Sequence, residues 1–204
     1  YEIRLSLVGS ELCIRDSFKV AGMEPTAKVV YAASAGNWIM RHEPEIWART
    51  AKYVMLPTYL NYKLTGNLID SASNQIGHIP FDYKNRRWMK PGSLTRCFCD
   101  VPNEKLCDLV PSGTVIGTVT DEVCALTGIP AGLPLISTGS DKGCETLGLA
   151  VVDSDKASIS LGTTATIQFS TTEYVEPQQF LPAYPGVLND HYNPEIEIYR
   201  GLWL

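Results

Sequence analysis

The chain has 204 residues, of which 45% are apolar and 19% charged, with a formal net charge of −5. That apolar content with so small a net charge excludes intrinsic disorder, and the length gives one full domain or two small ones. Apolar runs all fall short of the roughly 18 residues that a membrane-spanning helix needs. A pI near 5.2 argues against a nucleic-acid partner, whose phosphates want clustered Lys and Arg.

Residues 27–41 carry few helix breakers and place Val30, Ala33 and Trp38 at helical spacing, which predicts one helix despite Gly36 in its middle. Pro44 opens a second helix at its first position, with Ile46, Trp47, Thr50, Tyr53 and Val54 on one face. A third runs over 57–64 and stops at Thr65-Gly66, the usual glycine signal. Residues 69–76 read as a short helix capped by Asp70 or Ser71. Between Gly77 and Pro102 no period is clean. The piece from Phe81 to Trp88 mixes aromatic and basic residues, as single-stranded nucleic-acid binders do. The acidic total charge favours a solvated turn whose aromatics pack inward. A short helix is expected near 104–110.

The second half is more regular. Residues 114–120 read as a strand, 121–127 as a helix closed by Gly128, and 133–138 as a strand. Gly139-Ser140-Asp141 is the following turn, and 142–150 the next helix. Residues 157–161 and 165–170 flank a Gly-Thr-Thr turn as a β-hairpin, and 196–199 make a late strand after a Pro-rich loop. Strands interleaved with helices define an α/β chain, and the helical first half suggests a boundary or an insertion.

Two places invite chemistry. Asp141 lies where a strand ends and a helix begins, the edge where α/β proteins collect functional groups, and its carboxylate can take a proton from a hydroxyl. The plainer reading is an N-cap, for which Asp is well suited. Gly162-Thr163-Thr164 offers backbone N–H groups and two hydroxyls to an anion, or is an ordinary hairpin turn. Walker A, Gly-x-Gly-x-x-Gly and Gly-x-Ser-x-Gly sequences are all missing, and His42, His78 and His191 sit in unrelated contexts, as surface or packing residues do. Cys97-x-Cys99 followed by Cys107 is the one metal-like cluster. Structural zinc usually takes two close pairs and a fourth ligand is lacking, so free thiols in a reducing compartment are expected. Tyr1 is not an initiator Met and opens no signal pattern, which reads as a processed product or a piece of a longer chain.

Taken in order, several of these stretches resemble the FGGY carbohydrate kinases, in the actin/hexokinase-type ATPase superfamily. The first runs from His42-Glu43-Pro44-Glu45-Ile46-Trp47 through Leu56-Pro57-Thr58-Tyr59-Leu60-Asn61-Tyr62-Lys63-Leu64-Thr65-Gly66 into Ile69-Asp70-Ser71-Ala72-Ser73. The second is Ile116-Gly117-Thr118-Val119-Thr120 with Leu126-Thr127-Gly128-Ile129-Pro130-Ala131-Gly132-Leu133-Pro134. The third is Ser137-Thr138-Gly139-Ser140-Asp141 with Ser158-Ile159-Ser160-Leu161-Gly162-Thr163-Thr164. Together they span most of the chain.

The resemblance implies an α/β, actin/hexokinase-like (ribonuclease H-like) two-lobe ATPase fold. Residues 1–150 would be the later part of the sugar-binding lobe and 151–204 the start of the nucleotide-binding lobe. It implies ATP-dependent phosphorylation of a sugar or polyol hydroxyl, with ATP and Mg²⁺ as cofactors, in the cytoplasm, with a homodimer as one possible assembly. By the same resemblance Asp141 is the general base and touches substrate. Lys142 takes the substrate-binding position where many members place an amide, and Gly162, Thr163 and Thr164 bind the ATP phosphates. The Lys of the family's first long helix is not in place, with Ala35 near it. The family's Asp-x-Gly-Thr hairpin and glycine-rich adenosine loop do not occur in this sequence, which implies an incomplete nucleotide cleft and little turnover by the chain alone. The rival expectations are a non-catalytic sugar-binding or pseudokinase fragment, and a structural interaction module.

Overall fold

In the computed structural model, which describes residues 24–77, 79–93, 96, 99–161, 165–177 and 182–198, the helix expected over 27–41 is broken at Ser34. Helix α1 covers Glu24–Ala33 and α2 Ala35–His42. The cause is local: the Ser34 side chain accepts from the Asn37 N–H, so it caps a new helix instead of continuing the old one. Pro44 opens α3, Pro44–Arg49, as its fixed φ suits a first helical position. The chain divides into two compact units. One takes Tyr1–Tyr53, Gly77–Pro80 and Trp88–Leu106, and the other takes Val54–Ile76, Phe81–Arg87 and Cys107–Leu204.

The first unit holds α1, α2, α3 and a short 3₁₀ turn, Asn103–Lys105. Its core is Cys99, Val101 and Leu106, with Trp47, Tyr53 and Trp88 packed against it. Gly36 has a reason here. A Cβ at that position would lie 2.9 Å from Val101 Cγ2, so the glycine lets the core segment around Cys99 and Val101 sit against the helix. Buried Arg96 is spent on structure: it pairs with Asp100 at 3.2 Å and donates to the carbonyls of Met89 and Val101. Burial pushes the Cys99 thiol up. Of the Cys97, Cys99 and Cys107 cluster, Cys99 and Cys107 are free thiols, while Cys97, like Cys13, lies outside the described residues.

The second unit is α/β. Helix α4, Leu56–Thr65, ends at Gly66 in the left-handed conformation, as the Thr-Gly signal predicted. Two expected helices are corrected. Residues 69–76 form strand β1, Ile69–Ser71, and a 3₁₀ turn, Ala72–Asn74, that Ser71 caps. The 104–110 helix is replaced by the 3₁₀ turn already named and a later strand, Asp108–Val110. The two strands pair in parallel, Ile69 opposite Asp108 and Ser71 opposite Val110, a long-range ladder that short local windows do not register. Between them come the two-residue strands β2, Phe81–Asp82, and β3, Arg87–Trp88, so Asp108–Val110 is β4. The turn from Asp82 to Arg87 is held by Asp82, which accepts from Asn85 and pairs with Arg87. Phe81 is buried and meets Tyr83, which meets Tyr184, so the aromatics pack inward.

Strands β5, Val115–Thr118, and β6, Pro134–Ile136, are antiparallel, with α5, Asp121–Thr127, between them, capped by Thr120 and closed by Gly128. Helix α6 covers Asp141–Gly148. Strands β7, Ala157–Leu161, and β8, Ala165–Phe169, form the expected hairpin ladder. After the short pair β9, Tyr184–Pro185, and β10, Tyr192–Asn193, strand β11, Glu195–Ile198, joins β8 on its other edge. This three-stranded sheet is amphipathic in an unusual sense. Thr166 and Gln168 are buried, while the cross-strand row Ile159, Ile167 and Ile196 is 64%, 41% and 52% exposed. Among the described residues, no helix is long and apolar enough to cross a membrane.

Cys107 gives this unit a measurable pH signature. Burial, with the Asp70 carboxylate nearby, pushes its thiol from 9.0 up to about 11. The folded chain therefore keeps a proton that the unfolded chain releases, and stability should fall as pH rises from about 9 to 11. Thermal melts across that range test it: Cys107→Ala should flatten the slope, and a slope equal to the parent's would move its source elsewhere.

Candidate active site

The site is built where β6 runs into α6. Ser140 has extended backbone and its Oγ accepts from the Gly143 N–H at 3.1 Å, so Ser140 is the N-cap. The plainer reading of Asp141 as the cap is thereby corrected. Asp141 is the first helical residue, and its exposed carboxylate accepts from the neighbouring Lys142 N–H at 2.7 Å. A negative side chain in the first turn of a helix interacts favourably with the helix dipole.

What fixes the turn is a buried polar cluster that the sequence did not advertise. The Ser140 N–H donates to the Ser73 carbonyl at 3.0 Å. Ser112 Oγ lies 3.0 Å from the hydroxyls of both Ser71 and Ser73 and reaches the Thr138 carbonyl at 2.9 Å. Ser73 Oγ donates to the Gly186 carbonyl at 2.6 Å. Behind them buried Asp70 accepts from Thr58 Oγ1 at 2.6 Å, the Ser71 N–H at 2.7 Å and Asn74 Nδ2 at 3.1 Å. Gly139 is required by closeness: a Cβ there would sit 2.7 Å from Val187 Cγ2 and 3.4 Å from Ser73 Cβ. The legible signal was the run Asp70-Ser71-Ala72-Ser73, polar residues clustered beside an apolar helix. Locally that run is indistinguishable from a helix cap, because the partners of Ser71 and Ser73 lie some 40 to 110 residues away in sequence.

Lys142 turns away from Asp141, toward the hairpin. Its Nζ donates to Ser160 Oγ of β7 at 2.7 Å and to Glu145 Oε2 at 3.1 Å. Between α6 and β7–β8 opens a groove of about 320 Å³, bordered by Lys142, Thr146, Ser158, Ser160, Thr166 and Gln168 with Leu149 and Ile159 as apolar walls. Thr146 donates to Gln168 Oε1 and lies 3.2 Å from Ser158 Oγ, tying the helix to the hairpin. The helix led by Asp141 and the hairpin β7–β8 therefore stand side by side in one unit. Gly162, Thr163 and Thr164, between those strands, lie outside the described residues, as does His78. His42 bonds the Trp38 carbonyl and stacks on its ring. His191 pairs with Asp190 at 2.7 Å, which holds that carboxyl below the usual range. Among the described residues, no group of three or more His, Cys, Asp or Glu is arranged to hold a metal ion.

Comparison with known proteins bears on the same region. The model of the FGGY family of carbohydrate kinases, N-terminal domain, matches residues 17–148. The chain is 32% identical over 146 residues to the uncharacterized sugar kinase YgcE of Escherichia coli (strain K12), which covers 71% of this chain and 30% of that protein. Its backbone superposes on gluconate kinase from Lactobacillus acidophilus with a TM-score of 0.73 at 20% identity, over 94% of this chain and 40% of the other. Plasmodium falciparum glycerol kinase with ADP gives 0.65 at 17%, over 79% and 33%. The chain thus spans between 30% and 40% of the length of these proteins.

Proposed function

This chain belongs to the FGGY family of carbohydrate kinases, and on that premise we propose that it supplies the acceptor-activating part of an enzyme that phosphorylates a sugar or polyol hydroxyl with ATP. The observation that carries the reading is the Asp141 carboxylate, exposed at the head of α6 while Ser140 does the capping. A hydroxyl is a weak nucleophile at neutral pH, and a positioned carboxylate that takes its proton as the new bond forms removes that obstacle. The Ser73, Ser112 and Gly139 contacts hold the turn, so Asp141 is presented from a rigid base.

ATP supplies the phosphoryl group. Gly162, Thr163 and Thr164 are proposed to bind its phosphates, Asp141 and Lys142 to touch the substrate, and Mg²⁺ to arrive on the nucleotide. The donors around the groove (an ammonium and several hydroxyls) suit that anionic chemistry. We assign residues 1–150 to the sugar-binding lobe and 151–204 to the start of the nucleotide-binding lobe, in a cytoplasmic enzyme. The proteins of similar fold act on gluconate and on glycerol, which supports the acceptor class and leaves its member open.

The test is ADP release by the natively expressed protein with Mg²⁺–ATP and a panel of pentuloses, polyols and aldonates. One acceptor should raise ADP release far above the acceptor-free rate, while the 204-residue chain alone should show little. Acceptor binding without any ADP release would replace the kinase by a non-catalytic sugar-binding module.

A further inference from the structure

Thr146 and Gln168 are 2% and 3% exposed, yet each brings a polar head into the face where α6 packs on β7–β8. Thr146 donates to Gln168 Oε1 and lies 3.2 Å from Ser158 Oγ, which donates to the Gln168 carbonyl at 3.3 Å. These groups satisfy one another within the chain. A valine and a methionine would fill similar space and spare the cost of desolvating polar atoms. What a directional pair adds is uniqueness. Apolar side chains tolerate sliding, whereas a buried hydrogen bond accepts one placement of the two elements.

The spacing defines that placement. Lys142 and Thr146, one turn and about 6 Å apart along α6, meet Ser160 and Ser158, two residues and about 7 Å apart along β7. Helix and strand therefore run antiparallel with two matched rungs, of which the Thr146 rung is buried and the Lys142 rung partly exposed. A slip of one helical turn would break both rungs and carry Asp141 about 5 Å along the helix axis. The buried rung also crosses the boundary that we assign at residue 150. On one side of it stands the helix led by the proposed base, on the other the two strands that flank the residues assigned to the phosphates.

We propose that Thr146 and Gln168 are positioning residues that fix the register between the helix led by Asp141 and the hairpin β7–β8, and so align acceptor with donor. The proposal rests on the kinase reading above. Neither side chain touches the reacting atoms. Thr146 acts through the helix that carries Asp141, and Gln168 through the hairpin. A misplacement on the order of 1 Å can cost about 10²-fold in rate while each substrate still binds on its own side.

Variants of the natively expressed protein test it. Thr146→Val leaves the buried Gln168 Oε1 without its donor, so kcat and melting temperature should both fall. Thr146→Ser keeps the donor and should retain most of each. Thr146→Val combined with Gln168→Met replaces both partners by apolar groups of similar volume, which should return much of the lost stability. Its kcat should nevertheless stay about tenfold or more below the parent's, with KM for ATP and for the acceptor within about twofold. Nuclear Overhauser contacts between the Lys142 and Ser160 side chains read the register without turnover, and should weaken in this double variant. A double variant whose kcat recovers together with its melting temperature overturns the proposal, because the pair would then serve stability alone. Unweakened Lys142–Ser160 contacts in the double variant overturn it as well. A parent that transfers to no acceptor overturns the kinase reading instead, and the same contacts still decide whether the pair sets the register.

Discussion

Asp141→Asn in the natively expressed protein should lower turnover by about 10²–10⁴-fold, the usual contribution of a positioned proton acceptor. Affinity for ATP should hold, because the side chain that changes is proposed to serve the acceptor and the phosphates are assigned to other groups. Stability should change by less than about 1 kcal/mol, since the cap belongs to Ser140 and only the favourable charge at the helix N-terminus is lost. Steady-state ADP release gives the first quantity, nucleotide titration the second and a thermal melt the third. A structural carboxylate predicts the opposite pattern, a lowered melting temperature with turnover preserved. Turnover near the parent rate would take the general base away from Asp141.

Asp70→Ala should cost on the order of 3 kcal/mol of stability, a drop of about 6–12 °C in melting temperature for a chain of this size. The carboxylate is 3% exposed and satisfies Thr58 Oγ1, the Ser71 N–H and Asn74 Nδ2 together. Removing it leaves two buried donors, on Thr58 and Ser71, and the half-buried Asn74 amide without that acceptor, and each buried unsatisfied group carries its desolvation penalty. Asp70→Asn keeps one acceptor oxygen and the volume, and should lose about half as much. Because Ser71 and Ser112 link this cluster to the Thr138 carbonyl, Asp70→Ala should also lower turnover at temperatures where the protein is still folded. Denaturation curves of the two variants check the ranking. Equal stability of Asp70→Ala and the parent would mean that water reaches the three donors.

Local chemistry was enough for elements whose boundaries are written in a few adjacent residues. Helix α5 runs from a threonine cap to a left-handed glycine, both visible as Thr120 and Gly128. Helix α4 stops at Gly66 for the same reason. The ladder of β7 and β8 pairs residues close in sequence, so alternation and a turn signal define it. The motif order identified the family, and the match over residues 17–148 agrees. The place of Asp141 at the head of a helix was legible because a strand end and a helix start are both local features.

The remainder depends on partners distant in the chain. Ser34 is the local exception: its hydroxyl takes the Asn37 N–H three residues on and divides a helix that apolar spacing alone runs together. Residues 69–71 and 108–110 carry helix-like local signals and become strands because each satisfies the other's backbone groups across the fold. Whether Asp141 caps its helix or is left exposed turned on Ser140, one residue away, whose amide is in turn held by Ser73, 67 residues earlier in the chain. Lys142 looked like a neighbour of the acceptor, and only the packing of α6 on β7 brings its ammonium to Ser160. Sequence periodicity encodes which face of an element is apolar; a hydroxyl or an ammonium binds whatever the fold brings within about 3 Å, and that distance is set by the packing of the whole unit.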